Sequence, residues 1–160
     1  MLRLLLGVIT ILFFRVNTIH ADWYSQGTGG VLAAGKTTES ADAGIEILKA
    51  GGTEADAAAA TIPVLAVEDY GMFCMDGEVP FIHFEKATGE VKVLSGQGRA
   101  PLNQEAIDWL RSNGIPKAYT SGNIKSAAVP AEIDLCVTTM QQWGKLSFEE
   151  VAKPALRIID

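Results

Sequence analysis

Glu39–Val67 reads ESADAGIEILKAGGTEADAAAATIPVLAV, two helical patterns joined at a Gly-Gly pair. In the first half Ala41, Ile45 and Leu48 recur at i, i+4 and i+7 while Glu46 and Lys49 face away, the spacing of an amphipathic helix. Gly51-Gly52 ends it, because glycine takes the left-handed conformation favoured just past a helix C-terminus. Thr53 restarts the chain with Asp56 three residues on, an acidic form of the capping box. The next turns, Ala55 and Ala57–Ala60, carry almost no side-chain bulk. So bare a helix is expected to be buried and to lie close against a large sheet.

Outward from this pair, the composition is that of a globular domain: 160 residues, 48% apolar and 20% charged. A formal net charge of −6, with no lysine or arginine cluster, argues against a nucleic-acid partner. Met1–Ala21 differs from the rest. A short basic start precedes the apolar run Leu4–Phe14, and a more polar stretch ends in Ala21. This is the order of a secretory signal peptide, and the run is too short to span a bilayer, which takes about 20 residues. The expectation is a leader at residues 1–21, a secreted or periplasmic product at 22–160, and no stable membrane insertion. An uncleaved anchor is the alternative. Cys74 and Cys136 sit in apolar surroundings and read as buried, inert thiols. With His83 the only histidine after the leader, the chain offers no cluster of metal ligands, and no metal or cofactor is expected.

Further along, Asp22–Gly30 reads as loop and Val31–Ala34 as a short buried strand. Val79–Phe84 and Val91–Leu94 read as strands joined by a turn at Lys86–Gly89, with Pro80 better suited to an edge. Asn103 is placed to cap a helix over Gln104–Ser112. Tyr119–Ser126 is polar loop. Pro130 suits the first turn of a helix holding Ile133, Val137 and Met140 and ending at Gly144. Ser147 and Glu150 form a capping box that opens a last helix, interrupted by Pro154. Two or three strands make a sheet too small to stand alone, so the reading is part of a larger α+β fold.

Three motifs bear on chemistry. Gly30–Thr37 is a literal G-x-x-x-x-G-K-T, but its interior is itself the strand Val31–Ala34, where a phosphate-binding loop needs free backbone amides. Ser95-Gly-Gln-Gly-Arg-Ala-Pro101 holds Arg99 on a stiff glycine turn, which suits bidentate capture of a carboxylate; an ordinary surface arginine is the other reading. The loop Glu68–Glu78 is acidic and could hold an amine, although such charges usually only solvate a loop. No residue stands out as a catalytic nucleophile, by G-x-S-x-G or by a Cys/His pairing.

Three segments together resemble the gamma-glutamyltransferase family of N-terminal-nucleophile hydrolases: GIEILKAGGTEADAAAA, FIHFEKATGEVKVLSGQGRAP and VPAEIDLCVTTMQQWGKLSFEEVAKPAL. The resemblance is collinear from about Gly30 onward. It implies a four-layer αββα sandwich, of which this chain would be the front part of the large subunit and therefore incomplete. It also implies a precursor that cuts itself at a threonine, which then heads the small subunit and attacks gamma-glutamyl amides such as glutathione. The acyl group passes to water or an amine. No segment here is similar to the self-cleaving threonine segment, so the chain alone is expected to be inactive and to need the small-subunit region as partner. Arg99 is the position similar to the family's ligand for the substrate α-carboxylate. In glutathione-cleaving members the turn reads closer to Gly-Arg-Glu-x-Ala-Pro, which puts the arginine where this chain has Gln97. The Gly-Gln-Gly-Arg-Ala-Pro form is more similar to a side branch that includes acylase- and amidohydrolase-like proteins. Two other readings stand beside it: an exported αβ module that binds a small carboxylate or a partner without chemistry, and a nucleotide binder at Gly30–Thr37.

Overall fold

A computed structural model describes residues 24–27, 30–35, 37–75, 77–113, 127 and 129–160. In chain order these form strands β1 (Tyr24–Gly27) and β2 (Gly30–Ala33), helices α1 (Thr38–Lys49) and α2 (Glu54–Glu68), strands β3 (Val79–Glu85) and β4 (Glu90–Gly96), and helices α3 (Gln104–Ser112), α4 (Glu132–Trp143) and α5 (Phe148–Ile159). The expected leader and the polar loop Tyr119–Ser126 lie outside the described residues.

The junction between α1 and α2 forms as its residues dictate. Gly51 sits at φ +92°, its N–H donates to the Leu48 carbonyl at 3.1 Å, and the Gly52 N–H reaches back to Ile47 at 3.0 Å. Those two bonds are the Schellman closure, which satisfies carbonyls the helix end would otherwise orphan. A Cβ on Gly52 would meet Ile47 Cγ2 at 2.7 Å and Leu146 Cδ1 at 3.0 Å, so the second glycine is required by packing. The capping box then opens α2: the Asp56 N–H donates to Thr53 Oγ1 at 3.2 Å, and the Thr53 N–H donates to Asp56 Oδ2 at 2.9 Å.

The alanine helix is buried as expected, with Ala55, Ala57, Ala59 and Ala60 at 1% exposure or less. The large sheet expected to lie against it is not among the described residues, in keeping with the incomplete fold. Among the described residues α2 packs mainly on three helices, α1, α4 and α5, and not on a large sheet. Small side chains around much of the helix permit close approach from several sides at once, and the helices take that space. One core cluster joins Ile47, Ala57, Ala59, Ala60, Cys136, Met140 and Val151 across all four helices.

Other expectations are corrected in detail. Asp22–Gly30 was to be loop, yet Tyr24–Gly27 pairs antiparallel with Gly30–Ala33, in register Tyr24↔Ala33 to Gly27↔Gly30. The antiparallel ladder of these short segments overrides their polar composition. In α4, Pro130 precedes the N-cap residue Ala131 instead of occupying the first turn. The buried stripe of α4 is Glu132, Leu135, Cys136, Thr139 and Met140, rotated from the expected Ile133, Val137 and Met140, which includes two polar side chains that hydrophobic periodicity cannot flag. Cys74 is exposed in its loop and only Cys136 is buried; both are free thiols.

The β3–β4 hairpin closes at Gly89, φ +73°, in register Val79↔Gly96 through Glu85↔Glu90. Its two faces differ. Phe81 and His83 turn toward α4 and stack on Trp143, with ring centroids 6.1 and 4.4 Å away. Ile82, Phe84, Val91 and Val93 occupy the other face and are 59–71% exposed. Among the described residues, no helix is long and apolar enough to cross a membrane.

Candidate functional site

The open end of the β3–β4 hairpin is where the sequence concentrates its chemistry. The ladder ends at Val79↔Gly96, so Glu78 and Gln97 are the first residues beyond it on either strand. Gln97 Nε2 donates to Glu78 Oε2 at 3.2 Å, tying the acidic loop to the glycine turn. Arg99 follows two residues later, exposed and without an ion pair or hydrogen bond among the described residues.

Packing fixes the turn beneath Arg99. A Cβ on Gly96 would meet Leu135 Cδ2 of α4 at 2.7 Å, and one on Gly98 would fall on the Val129 carbonyl and reach Val129 Cβ at 2.5 Å. The two glycines therefore let the backbone lie flat on the chain entering α4, and no larger residue fits at either position. The result is an arginine whose backbone is held by packing and whose exposed guanidinium can present a bidentate donor.

Helix α4, whose Leu135 meets Gly96, also carries a buried carboxylate and a buried thiol. Glu132, fully buried, opens α4, and Cys136 lies one turn along. Burial first, and the Glu132 carboxylate second, push the Cys136 thiol up to about 12, against a lowering contribution from a backbone hydrogen bond. A thiol held protonated this firmly is a core group and not a nucleophile. Among the described residues no three His, Cys, Asp or Glu side chains gather to hold a metal ion.

The other sequence motifs are not brought to this end. Gly30–Ala33 of the G-x-x-x-x-G-K-T match is β2, its backbone in the ladder with Tyr24–Gly27, and Thr37 is the N-cap of α1. Lys36 lies outside the described residues. A phosphate cradle needs those amides free, so the strand removes the nucleotide reading of Gly30–Ala33.

Two constraints were missed in the sequence. The Glu78–Gln97 bond joins residues 19 apart, and its only early signal was that both flank a hairpin. Asp56, beyond its cap, accepts the Lys145 N–H at 2.9 Å and fastens the α1–α2 junction to the α4–α5 turn. Gly144 is required there because a Cβ would fall on Asp56 Oδ1 and meet the Met140 carbonyl at 2.6 Å.

The same order of elements occurs in known proteins. The family profile described as Gamma-glutamyltranspeptidase matches residues 40–160, which is 121 of the 160 residues. The chain belongs to the gamma-glutamyltranspeptidase family. It is 32% identical over 113 residues to the Glutathione hydrolase-like YwrD proenzyme of Bacillus subtilis, covering 71% of this chain and 21% of that protein. Among solved structures it is similar to the gamma-glutamyltranspeptidase of Pseudomonas nitroreducens complexed with L-DON, with TM-score 0.65 and 28% identity over 82% of this chain and 38% of that one. It is also similar to the cephalosporin acylase of Bacillus halodurans, with TM-score 0.61 and 29% identity over 74% of this chain and 22% of that one. The fold is thus the mixed α/β architecture of these N-terminal-nucleophile hydrolases, with only part of it represented. The chain spans about a fifth of the length of the curated relatives it matches.

Proposed function

We propose that this chain supplies the carboxylate-holding part of an exported gamma-glutamyl acyl-transfer enzyme, with a gamma-glutamyl peptide or amide as donor and water or an amine as acceptor. Residues 1–21 are a cleaved leader, and residues 22–160 are the front of the large-subunit domain. The nucleophilic threonine and the small subunit come from residues other than these 160. The observation that carries this reading is Arg99, exposed and unpaired among the described residues, on a turn that Gly96 and Gly98 press against α4 in a chain of this family. An exposed guanidinium on a constrained turn can take a planar anion bidentately, and the α-carboxylate of a gamma-glutamyl group is one of matching shape.

The chemistry asked of these residues is orientation. A carboxylate gripped bidentately leaves the far end of the donor, its gamma-amide, as the part presented to a nucleophile. Gln97 in place of an arginine, together with likeness to a cephalosporin acylase, supports the acylase-like side branch, while the name of the YwrD relative, Glutathione hydrolase-like, keeps glutathione among the donors.

The test is to express the whole reading frame that contains this chain and assay gamma-glutamyl anilide. Release of the aniline, accelerated by an added amine acceptor, is the expected result. A folded, processed product that leaves the anilide intact would overturn the proposal.

A further inference from the structure

We infer that α3 and the chain entering it form a binding site for a small organic amine with an aromatic or branched apolar body, separate from the turn that carries Arg99. The ammonium group of the ligand rests on the Glu105 carboxylate and its body on Trp109.

The site is a cleft of about 520 Å3 lined by Pro101, Asn103, Glu105, Ala106, Trp109 and Leu110. That volume falls within the range usual for small-molecule pockets, about 300–1,000 Å3. α3 buries none of its residues, and Trp109 keeps 43% of its surface exposed. An apolar row left open on a helix marks a binding surface. The helical spacing sorts the lining. Glu105 and Trp109 stand at i and i+4, as do Ala106 and Leu110, so the carboxylate lies one turn from the indole and an apolar row runs beside them. Pro101 adds apolar surface from the chain entering the helix.

Charge then selects the ligand. Asn103 Oδ1 accepts the Glu105 and Ala106 N–H groups at 2.8 and 3.3 Å, so those amides are not open to an anion, and Glu105 would repel one. The Glu105 carboxylate itself makes no ion pair or hydrogen bond among the described residues. Asp108, outside the cleft, takes the Gln104 amide at 2.8 Å, which leaves Glu105 as the anionic group of the lining. A carboxylate beside an indole satisfies an ammonium twice, through the ion pair and through the ring face, while the apolar row takes the rest of the ligand. A neutral aromatic molecule of the same shape forgoes the first of these.

The probes are 2-phenylethylamine and 2-phenylethanol, which share a ring and differ in charge. Calorimetric titration of the protein expressed from the complete reading frame is expected to show the amine binding about fivefold more tightly. Glu105→Gln is expected to lower the affinity for the amine to that for the alcohol and to leave the alcohol unchanged. Trp109→Ala is expected to weaken both several-fold. Arg99→Ala should alter neither, which separates this site from the proposed carboxylate site. Glu105 and Trp109 are exposed, and far-UV circular dichroism checks that the helices persist in each variant. Equal affinities for the two probes, or a preference for the amine that survives Glu105→Gln, overturn the amine assignment. A fall in amine affinity with Arg99→Ala overturns the separation of the two sites. Saturable binding of neither probe overturns the site, as when the rest of the polypeptide covers the cleft, and leaves the reading of Arg99 untouched.

Discussion

The four helices α1, α2, α4 and α5 and the β3–β4 hairpin are stabilised in opposite ways. The helices close a core of their own, in which alanines and short aliphatic side chains meet from all four elements. The hairpin is finished on one face, where Phe81 and His83 stack on Trp143, and open on the other, where Ile82, Phe84, Val91 and Val93 stand in solvent. Substitutions should therefore cost stability in the first region and alter association or binding in the second.

The largest effect is expected at Asp56. Its Oδ2 accepts from the Thr53 N–H, the Thr53 hydroxyl and the Lys145 N–H, at 2.9, 3.0 and 2.9 Å. Asp56→Ala removes a cap and a tertiary clasp together and strands donors in a buried place, which should cost about 2–4 kcal/mol in chemical denaturation. A loss under about 0.5 kcal/mol would show that the junction does not depend on it. Overpacking should come close behind. Ala60→Leu places a large side chain at a fully buried position between helices and should cost about 1–3 kcal/mol. On the hairpin's open face, Ile82→Thr should change stability by no more than about 0.5 kcal/mol, since Ile82 is 71% exposed. The same change should raise the concentration at which the protein stays monomeric, measured by light scattering, because it breaks a contiguous apolar patch.

The two cysteines sharpen the contrast. Cys74 is exposed and should react at once with a thiol reagent near pH 8, while Cys136 should react only on unfolding, giving one fast thiol natively and two in denaturant. The folded thiol of Cys136 is raised from 9.0 to about 12, so its contribution is fully present below pH 9 and lost as pH rises toward 12. That contribution is of the order of 4 kcal/mol, read as the difference in alkaline stability between the native chain and Cys136→Ala. Glu150 runs the other way. The Ser147 backbone N–H, then the Ser147 hydroxyl, hold its carboxyl below the usual range, so the cap of α5 contributes above that range and is lost as pH falls through it. The smallest effect is expected at the exposed pair Arg157–Glu46, two contacts at 3.0 and 2.5 Å, where Glu46→Gln should cost less than about 1 kcal/mol and less in salt.

The same contrast separates what could be read in the sequence from what could not. The Gly51-Gly52 closure, the boxes at Thr53 and Ser147, the Asn103 cap and the Gly89 turn are local, each set by a few adjacent residues, and all were legible. The partners of α2 were not. Alanine shows that something approaches closely, but it does not say whether helix or sheet. The tilt of α4 was misread because its buried face carries Glu132 and Thr139, and polar residues are silent in a hydrophobic pattern. At the site, Arg99 could be singled out from its glycines. The Glu78–Gln97 bond could not, because it exists only once the hairpin register is set.

Arg99 is proposed as the anion-holding group of a gamma-glutamyl site. Its most direct test is the Michaelis constant for gamma-glutamyl anilide of Arg99→Lys and Arg99→Ala, in the enzyme expressed from the complete reading frame. Loss of a bidentate, charge-assisted contact should raise KM by about 100-fold for alanine, equivalent to about 3 kcal/mol, and by less for lysine. Alkaline and denaturant stability should not move, since the side chain is exposed. A KM for Arg99→Ala within about twofold of the native value, with the fold intact, would contradict the assignment.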